Sequence, residues 1–273
     1  MSFVFETSRD VERVERRVLG ALCCVDATTG TPLNQALRVG APAGARIQRN
    51  RSGLFVIHDW APLAHHSSSF LNAPAGPPVG DTPLTVTISD PSGQYLSRLV
   101  QVDVPRDPVS ASVSPPNSLF RPLMVPMYPS AAARIGPNWA ALSLSLRDAL
   151  DGDALGGVLL RVLNGSQVVA RGLSDWRGEA LVPVAGIPVT TWSAEPGDVI
   201  VTQIEVTVEA FADPASMART LQVDVSAGRA PLLLPLVDPV AMETARAGLP
   251  QASTVVSLAA GRRLHVSLEI PLP

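Results

Sequence analysis

The heptapeptide Arg98-Leu-Val-Gln-Val-Asp-Val104 recurs about 120 positions later as Arg219-Thr-Leu-Gln-Val-Asp-Val225. Alternating apolar and polar residues predict a β-strand in both places. A sheet does not need an aspartate at the matching positions Asp103 and Asp224, so duplication explains them better than strand composition alone. We therefore predict two copies of one β-rich unit that superpose as the same sandwich.

A second motif repeats with nearly the same spacing. Asp26-Ala-Thr-Thr-Gly30 in the first copy corresponds to Asp148-Ala-Leu-Asp-Gly152 in the second. Asp and Gly at these positions predict a tight turn between two strands, because glycine accepts a positive φ. Further along each copy, a turn that ends in glycine precedes an apolar strand, and we expect Gly53 and Gly178 to correspond.

The composition favours an all-β fold. Of the 273 residues, 46% are hydrophobic and 16% are charged, so the chain has enough apolar side chains for a sizeable core. The 26 prolines and 20 glycines interrupt the sequence too often for long helices. All 21 cationic side chains are arginine, which excludes enzymes that need a Schiff-base or P-loop lysine. The net charge is −3 and no basic patch alternates with aromatic residues, so we expect no nucleic-acid binding.

The predicted fold is therefore two tandem Ig-like or prealbumin-like β-sandwich domains joined by a Pro-rich linker. The expected divisions are an N-terminal arm or short helix over 1–17, a first sandwich over 18–107, a linker over 108–138, a second sandwich over 139–230, and a C-terminal extension with a final strand over 231–273. Because the linker is apolar, we expect it to lie extended across a surface or to form an edge strand of either unit. The alternating segments predict six buried positions: Ile57, Val86, Val102, Leu144, Val162 and Val223.

The cysteines and the N-terminus indicate a compartment. Cys23 and Cys24 are adjacent in a predicted strand, so a disulfide between them would be strained and both are expected to be reduced. The first residues lack the charged-then-apolar order of a secretory signal, and no apolar run is long enough to span a membrane. We expect a cytoplasmic protein with no membrane span.

The order of turns and strands resembles the carboxypeptidase regulatory-like domain, a transthyretin-like (prealbumin-like) sandwich. In the first copy the resemblance rests on Asp26, Thr29, Gly30, Pro32, Leu33, Gly53 and Phe55. In the second copy it rests on Asp148, Gly152, Leu155, Asp175, Gly178 and Leu181, without the Thr-Gly pair and the proline. The resemblance implies a non-catalytic module that acts as a spacer, an adhesion module or an assembly part.

We predict a non-enzymatic structural protein of a bacterial multiprotein assembly. By analogy of fold, duplicated sandwiches resemble the accessory parts of contractile injection systems and phage tails, such as cap, collar or baseplate decorations. The expected partners are other protein subunits, including further copies of this chain, and no cofactor or metal is expected. The alternative is an adhesion or carbohydrate-binding module, which Trp and Tyr exposed side by side on one sheet face would favour.

Two apolar segments are the predicted contact surfaces, because large exposed apolar patches usually mark interfaces. One is a set of valines at helical spacing near the N-terminus, and the other is the apolar part of the linker. Together they comprise Val11, Val14, Val18, Leu119, Phe120, Met124, Met127 and Tyr128.

His, Asp and Ser cluster in the segment from His58 to Ser69, which also contains His65 and His66. A Ser-His-Asp triad needs groups held by separate rigid elements, and a single loop rarely provides them. No fourth ligand at defined spacing supports a metal site there, and the acidic segment 148–153 lacks the Gly and Glu spacing of a calcium loop. We expect a solvated loop in the first case and a tight turn in the second.

Overall fold

The computed structural model describes residues 17–68, 74, 76–109, 111, 113–136, 138–187, 191–192, 199–200 and 203–273. Strands make up 45% of the described residues and helices 10%, which confirms the all-β expectation. Within the described ranges, no helix is both long enough and apolar enough to cross a bilayer. The predicted arm before residue 17, with Val11 and Val14, lies outside the described residues.

The N-terminal half builds one apolar core from two sheets. Its elements are β1 (Gly20–Asp26), β2 (Arg38–Gly40), β3 (Arg46–Arg49), β4 (Phe55–Asp59), a 3-10 turn (Ala61–Leu63), α1 (Ala64–Ser68), β5 (Thr82–Ser89), β6 (Arg98–Val104) and β7 (Leu123–Met127). One sheet has the order β3-β4-β1-β7 and the other β2-β5-β6. Apolar side chains of both sheets pack together, among them Leu22, Ile57, Val86, Val102 and Met127.

The C-terminal half repeats this plan with additional elements. They are β8 (Ala140–Asp148), β9 (Ala154–Gly156), β10 (Leu159–Asn164), β11 (Gln167–Leu173), β12 (Glu179–Val184), β13 (Thr191–Trp192), β14 (Val199–Ile200), β15 (Gln203–Phe211), β16 (Ala218–Thr220), α2 (Gln222–Ser226), α3 (Pro239–Ala245), a 3-10 turn (Arg246–Gly248), β17 (Gln251–Ala259) and β18 (Arg263–Ile270). One sheet has the order β11-β10-β15-β17, and the other has β12-β8-β9-β16 with β18 beside β8. Their shared core includes Leu144, Val162, Val208 and Ile270.

The two halves share a pattern of strand pairing. β1 pairs antiparallel with β4 and parallel with β7, just as β8 pairs antiparallel with β12 and parallel with β18. In the other sheets, the order β2-β5-β6 matches β10-β15-β17. The repeated unit therefore spans 20–127 and 140–270, with β6 equivalent to β17 and β7 to β18.

The turn after the first strand is the same in both halves. Gly30 N–H donates to the Asp26 carbonyl at 2.8 Å, and Gly152 N–H donates to the Asp148 carbonyl at 3.0 Å. Each Asp carboxylate also accepts the N–H group two residues further on, at 2.8 and 2.9 Å. The glycines have φ of 70° and 73°, which L-residues with a Cβ rarely adopt. The second predicted motif is therefore confirmed as repeated turn chemistry.

The heptapeptide pair, in contrast, is not a structural repeat. Arg98–Val104 forms β6, whereas Arg219–Val225 divides between β16 and the helix α2. Val223 is 63% exposed, so its predicted burial and the pairing of Gln101 with Gln222 are wrong. The reason is that β17 pairs with β15 over nine residues and occupies the position equivalent to β6. The heptapeptide copy lies in the segment 212–250 between β15 and β17, which we call the insertion, and tertiary context overrides its strand pattern.

The C-terminal residues complete both sheets of the second half. β17 pairs with β15 and β18 pairs with β8, and Leu258, Leu268 and Ile270 lie in the core. The predicted boundary at residue 230 would separate β17 and β18 from the sheets to which they belong, so 231–273 is part of the C-terminal half and not an added extension.

The predicted linker 108–138 contains β7, which forms the edge of a sheet by pairing with β1. This was one of the two outcomes expected for that segment.

Both cysteines are free and buried in β1, which makes a simple prediction about their reactivity. Burial raises the pKa of both thiols, and it raises that of Cys24 to about 12, where the adjacent Cys23 adds to the effect. Because the thiolate is the reactive species, we expect both thiols to react with a disulfide reagent at about pH 8 far more slowly than free cysteine. Both should react rapidly in denaturant. Rapid labelling of either residue in the folded chain would contradict the burial of β1.

Candidate interaction surface

A buried apolar cluster joins the two halves. It consists of Tyr128, Leu159, Leu173, Phe211, Val237 and Met242. Tyr128 follows β7 of the N-terminal half, and the other five belong to the C-terminal half. Two predicted interface residues are therefore internal, since Tyr128 is buried in this cluster and Met127 in the N-terminal core. The prediction failed for them because the stretch ends in a paired strand whose inward side chains the chain itself covers.

Arg98 lies at the same junction and is only 1% exposed. Its Nη1 donates to the Pro126 carbonyl at 2.7 Å, its Nε donates to the Leu99 carbonyl at 3.1 Å, and its Nη2 lies 3.4 Å from Asp238 Oδ1. Its guanidinium carbon is 5.8 Å from the centroid of the Tyr128 ring. Burial lowers the pKa of Arg98, and the proximity of Tyr128 and Asp238 opposes this effect. The insertion of one half thus supplies the counter-charge for a cation buried in the other.

The insertion also covers the free edge of β6. The N–H of Leu99 donates to the Val237 carbonyl at 2.8 Å, and the N–H of Gln101 donates to Asp238 Oδ2 at 3.2 Å. Asp238 Oδ1 accepts the N–H of Val240 at 3.0 Å and so caps the N-terminus of α3. One side chain therefore caps a helix, satisfies a strand edge and neutralises a buried arginine.

A groove of about 410 Å³ lies beside this junction, between β6, β7 and α3. Its apolar side chains include Met124 and Val240, which are both exposed, and its polar ones include Gln101 and Asp103. Met124 is a predicted interface residue, and in this groove it is available for contact. Such a groove suits an apolar side chain of a partner.

The other predicted interface residues that the structure describes do not line this groove. Phe120 is exposed, whereas Leu119 and Val18 are half-buried. Val18 lines a second cavity, of about 160 Å³, together with Arg17 and His66. The described members of the predicted set therefore do not line one common groove.

The most exposed apolar segment is one that the sequence analysis did not identify. Leu232 and Leu233 are 105% and 85% exposed, and Leu234 is also exposed. They stand between Pro231 and Pro235 on the insertion, and we call Leu232–Leu234 the leucine segment. An uninterrupted apolar run between two prolines was the available signal, because proline does not fit the interior of a paired strand.

The His58–Ser69 segment folds differently from the solvated loop that was expected. Residues 64–68 form α1, in which His66 and Ser67 are buried; Ser69 lies outside the described residues. The Ser67 hydroxyl donates to Asp59 Oδ1 at 3.0 Å, and His66 Nε2 lies 3.1 Å from the Gly76 carbonyl. These hydrogen bonds hold the helix against neighbouring segments.

The acidic turn 148–153 is paired with an arginine of the insertion. Arg219 contacts Asp148 at 2.8 Å, Asp153 at 3.0 Å and also Asp151. Within the described part of the chain, no group of three or more His, Cys, Asp or Glu side chains is arranged to hold a metal ion. The carboxylates of this turn thus serve as ion-pair partners of Arg219.

Several aromatic side chains among the described residues contribute to the fold. Trp60 packs against the N-terminal core, the Tyr95 hydroxyl donates to Asp26 Oδ2 at 2.6 Å, and Tyr128 is buried. The groove beside Met124 and the leucine segment both present exposed apolar side chains to a partner. No family model matches this chain, and no curated protein matches its sequence.

Proposed function

We propose that this chain is a non-enzymatic structural subunit of a bacterial multiprotein assembly, acting in the cytoplasm through contacts with other protein subunits. The class of assembly that we propose is a contractile injection system or a phage-tail-like particle, in which the chain is a cap, collar or baseplate accessory part. Its two halves are proposed to be prealbumin-like sandwich domains of the carboxypeptidase regulatory-like type. The observation that carries the proposal is the leucine segment.

Exposed leucines on this scale favour burial against a partner. Removing one leucine side chain from water stabilises a complex by roughly 1.5–3 kcal/mol. Contiguous apolar surface rimmed by polar residues is typical of protein contacts. Leu232 and Leu233 are adjacent and largely exposed, so a partner subunit would gain from burying both of them together.

The leucine segment is held at both ends. On one side Pro235 packs against Gly156 and Gly157, where a Cβ on either glycine would come within about 3 Å of the proline ring. On the other side Arg229 Nη2 lies 2.6 Å from Asp224 Oδ1 on α2. A binding segment with fixed ends loses less conformational entropy on binding than a free loop does.

The junction between the halves also supports a structural role. Arg98 and the cluster around Tyr128 link strands of the N-terminal half to the insertion of the C-terminal half. A part that positions other subunits needs its surfaces at a fixed separation, and a buried apolar contact provides this better than a flexible linker.

The alternative, a carbohydrate-binding or adhesion module, receives less support. Aromatic platforms for sugars use several exposed rings together. Tyr128 is buried, Tyr95 is hydrogen-bonded to Asp26 and Trp60 packs against the core, which leaves Phe120 as the exposed aromatic side chain among the described residues. We therefore keep assembly as the proposed function.

The test is to replace both Leu232 and Leu233 with Asp in a tagged chain expressed from its own locus, and to sediment the lysate. We expect the parent chain in fractions far heavier than a 28.6 kDa chain and the variant in light fractions. The control is Leu150→Asp, because Leu150 is exposed on the turn after β8 and does not belong to the leucine segment. The thermal melting temperature of each purified variant should match the parent. If the parent stays in light fractions, or the double variant sediments with it in heavy ones, the proposal is wrong.

A further inference from the structure

β17 is an edge strand whose outer side has no strand paired to it among the described residues. It pairs with β15 along nine residues, at one end of the sheet β11-β10-β15-β17. Its sequence, Gln251-Ala-Ser-Thr-Val-Val-Ser-Leu-Ala259, contains neither a charge nor a proline. Natural proteins usually protect edge strands with such residues or with a covering segment. A long, uncharged edge is therefore suited to pairing with another strand.

Other edge strands of three or more residues in the described chain are protected. Each carries a charge or a proline in its sequence: Arg38 on β2, Arg49 on β3, Pro126 on β7, Arg171 on β11, Glu179 on β12, Arg219 on β16 and Arg263 on β18. β6 is covered by the insertion, as described above. Among the described edge strands of three or more residues, β17 is the exception, and this difference favours a partner strand on its open side.

Comparison with β6 shows which groups are free. Ile88 on β5 lies opposite Arg98 on β6, and Val208 on β15 lies opposite Thr254 on β17. With Ile88 and Val208 as equivalent positions of the two halves, Val255 corresponds to Leu99 and Ser257 corresponds to Gln101. The Leu99 and Gln101 N–H groups are accepted by the insertion. The insertion accepts hydrogen bonds from the outer edge of β6, so it is not available to cover the outer edge of β17.

The direction of the β17 backbone groups follows from one hydrogen bond. Ala212 N–H donates to the Pro250 carbonyl at 2.9 Å, so the even-numbered residues of β17 direct their backbone groups toward β15. The odd-numbered residues Ser253, Val255 and Ser257 consequently direct N–H and C=O to the open side. These groups are ready to form a ladder with an added strand.

We propose that β17 pairs antiparallel with β17 of a second copy of this chain, across a two-fold axis at Val255. Pairing about this central residue uses all nine residues of the strand and places Ser253 opposite Ser257. Val255 is 57% exposed and would pack against its own equivalent. Because β17 is uncharged, the two-fold brings no like charges together, and a two-fold interface must be self-complementary. The contact deepens the proposed assembly function by naming one partner, on a strand separate from the leucine segment.

The test is the molar mass of the full chain in solution, by light scattering after size exclusion and by sedimentation. We expect twice the 28.6 kDa of one chain at micromolar concentration. Val255→Lys should raise the dissociation constant at least about a hundredfold, because it places two like charges face to face. Since Val255 is exposed, the variant should fold as the parent does, and circular dichroism checks this. Ser253→Lys is a second variant with the same expected result, should the first one misfold.

The matched control is Leu232→Lys, which adds the same charge to the leucine segment and should leave the dimer intact. A bifunctional maleimide should link two copies of the Val255→Cys variant through the introduced cysteine. The native cysteines are buried and should not react with it. A parent chain that is monomeric at every concentration overturns the inference, and so does a Val255→Lys chain that remains dimeric. If only the dimer is absent while Leu232 and Leu233 still govern sedimentation in lysate, the proposed function stands without this contact. If the dimer is present but the changes at Leu232 and Leu233 do not affect sedimentation in lysate, the dimer stands and the proposed function is wrong.

Discussion

Replacing Asp238 with alanine is expected to lower the free energy of unfolding by about 3–5 kcal/mol. The change leaves the guanidinium of Arg98 buried without its carboxylate partner, and an uncompensated buried charge is costly. It also removes the cap of α3 and the acceptor for Gln101 N–H. These losses all arise at the contact between the two halves. Equilibrium unfolding in urea would measure the effect.

The matched control is Asp224→Ala. Asp224 also pairs with an arginine, but Arg229 is largely exposed, so this change should cost no more than about 1 kcal/mol. Equal losses for the two variants would show that the Arg98 pair is solvated and that the insertion does not hold the halves together. A second, early transition in Asp238→Ala would further indicate that the halves can unfold separately.

Replacing Gly178 with alanine is expected to be still more damaging, at more than about 4 kcal/mol. Gly178 has a φ of +73°, and an added Cβ would collide with the Leu146 carbonyl oxygen and lie 3.1 Å from the Leu155 nitrogen. Both contacts are backbone atoms of the C-terminal half, which cannot move as a side chain can. The expected outcome is a chain that unfolds at much lower denaturant concentration or does not fold.

Gly53 provides the control, because it occupies the same turn in the N-terminal half. Its N–H donates to the Asn50 carbonyl at 3.1 Å, as that of Gly178 donates to the Asp175 carbonyl at 2.9 Å. Its φ is +81°, but an added Cβ would meet only the Arg49 side chain, at 3.7 Å. Gly53→Ala should therefore cost only the backbone strain, about 1–2 kcal/mol. If both substitutions lower the free energy of unfolding by the same amount, the close contact of Gly178 with the backbone of Leu146 and Leu155 does not exist.

The sequence alone determined the local chemistry of the turns. The Asp26 and Asp148 motifs fold into the same turn, and Gly53 and Gly178 take equivalent positions before β4 and β12. These features are predictable because each hydrogen bond joins residues only a few positions apart. The alternating strands were equally informative, since five of the six residues predicted to be buried are in the core: Ile57, Val86, Val102, Leu144 and Val162.

The tertiary structure alone decided which strand-like segments became strands. Arg98–Val104 and its sequence copy have nearly the same side chains, but a strand also needs a neighbouring strand with free backbone groups. In the C-terminal half, Gln251–Ala259 occupies that position on β15, so Gln222–Ser226 forms a short helix. The competing segment lies some thirty residues away in the chain, which a local pattern does not record.

The same distinction applies to the candidate interface. Met127 and Tyr128 form an apolar pair in the sequence, and so do Leu232 and Leu233. The first pair is buried because β7 joins β1 and the insertion packs against Tyr128, whereas the second stands between prolines on a segment that no strand covers. Hydrophobicity sets how much free energy burial releases, but contacts between residues distant in sequence set which side chains are buried.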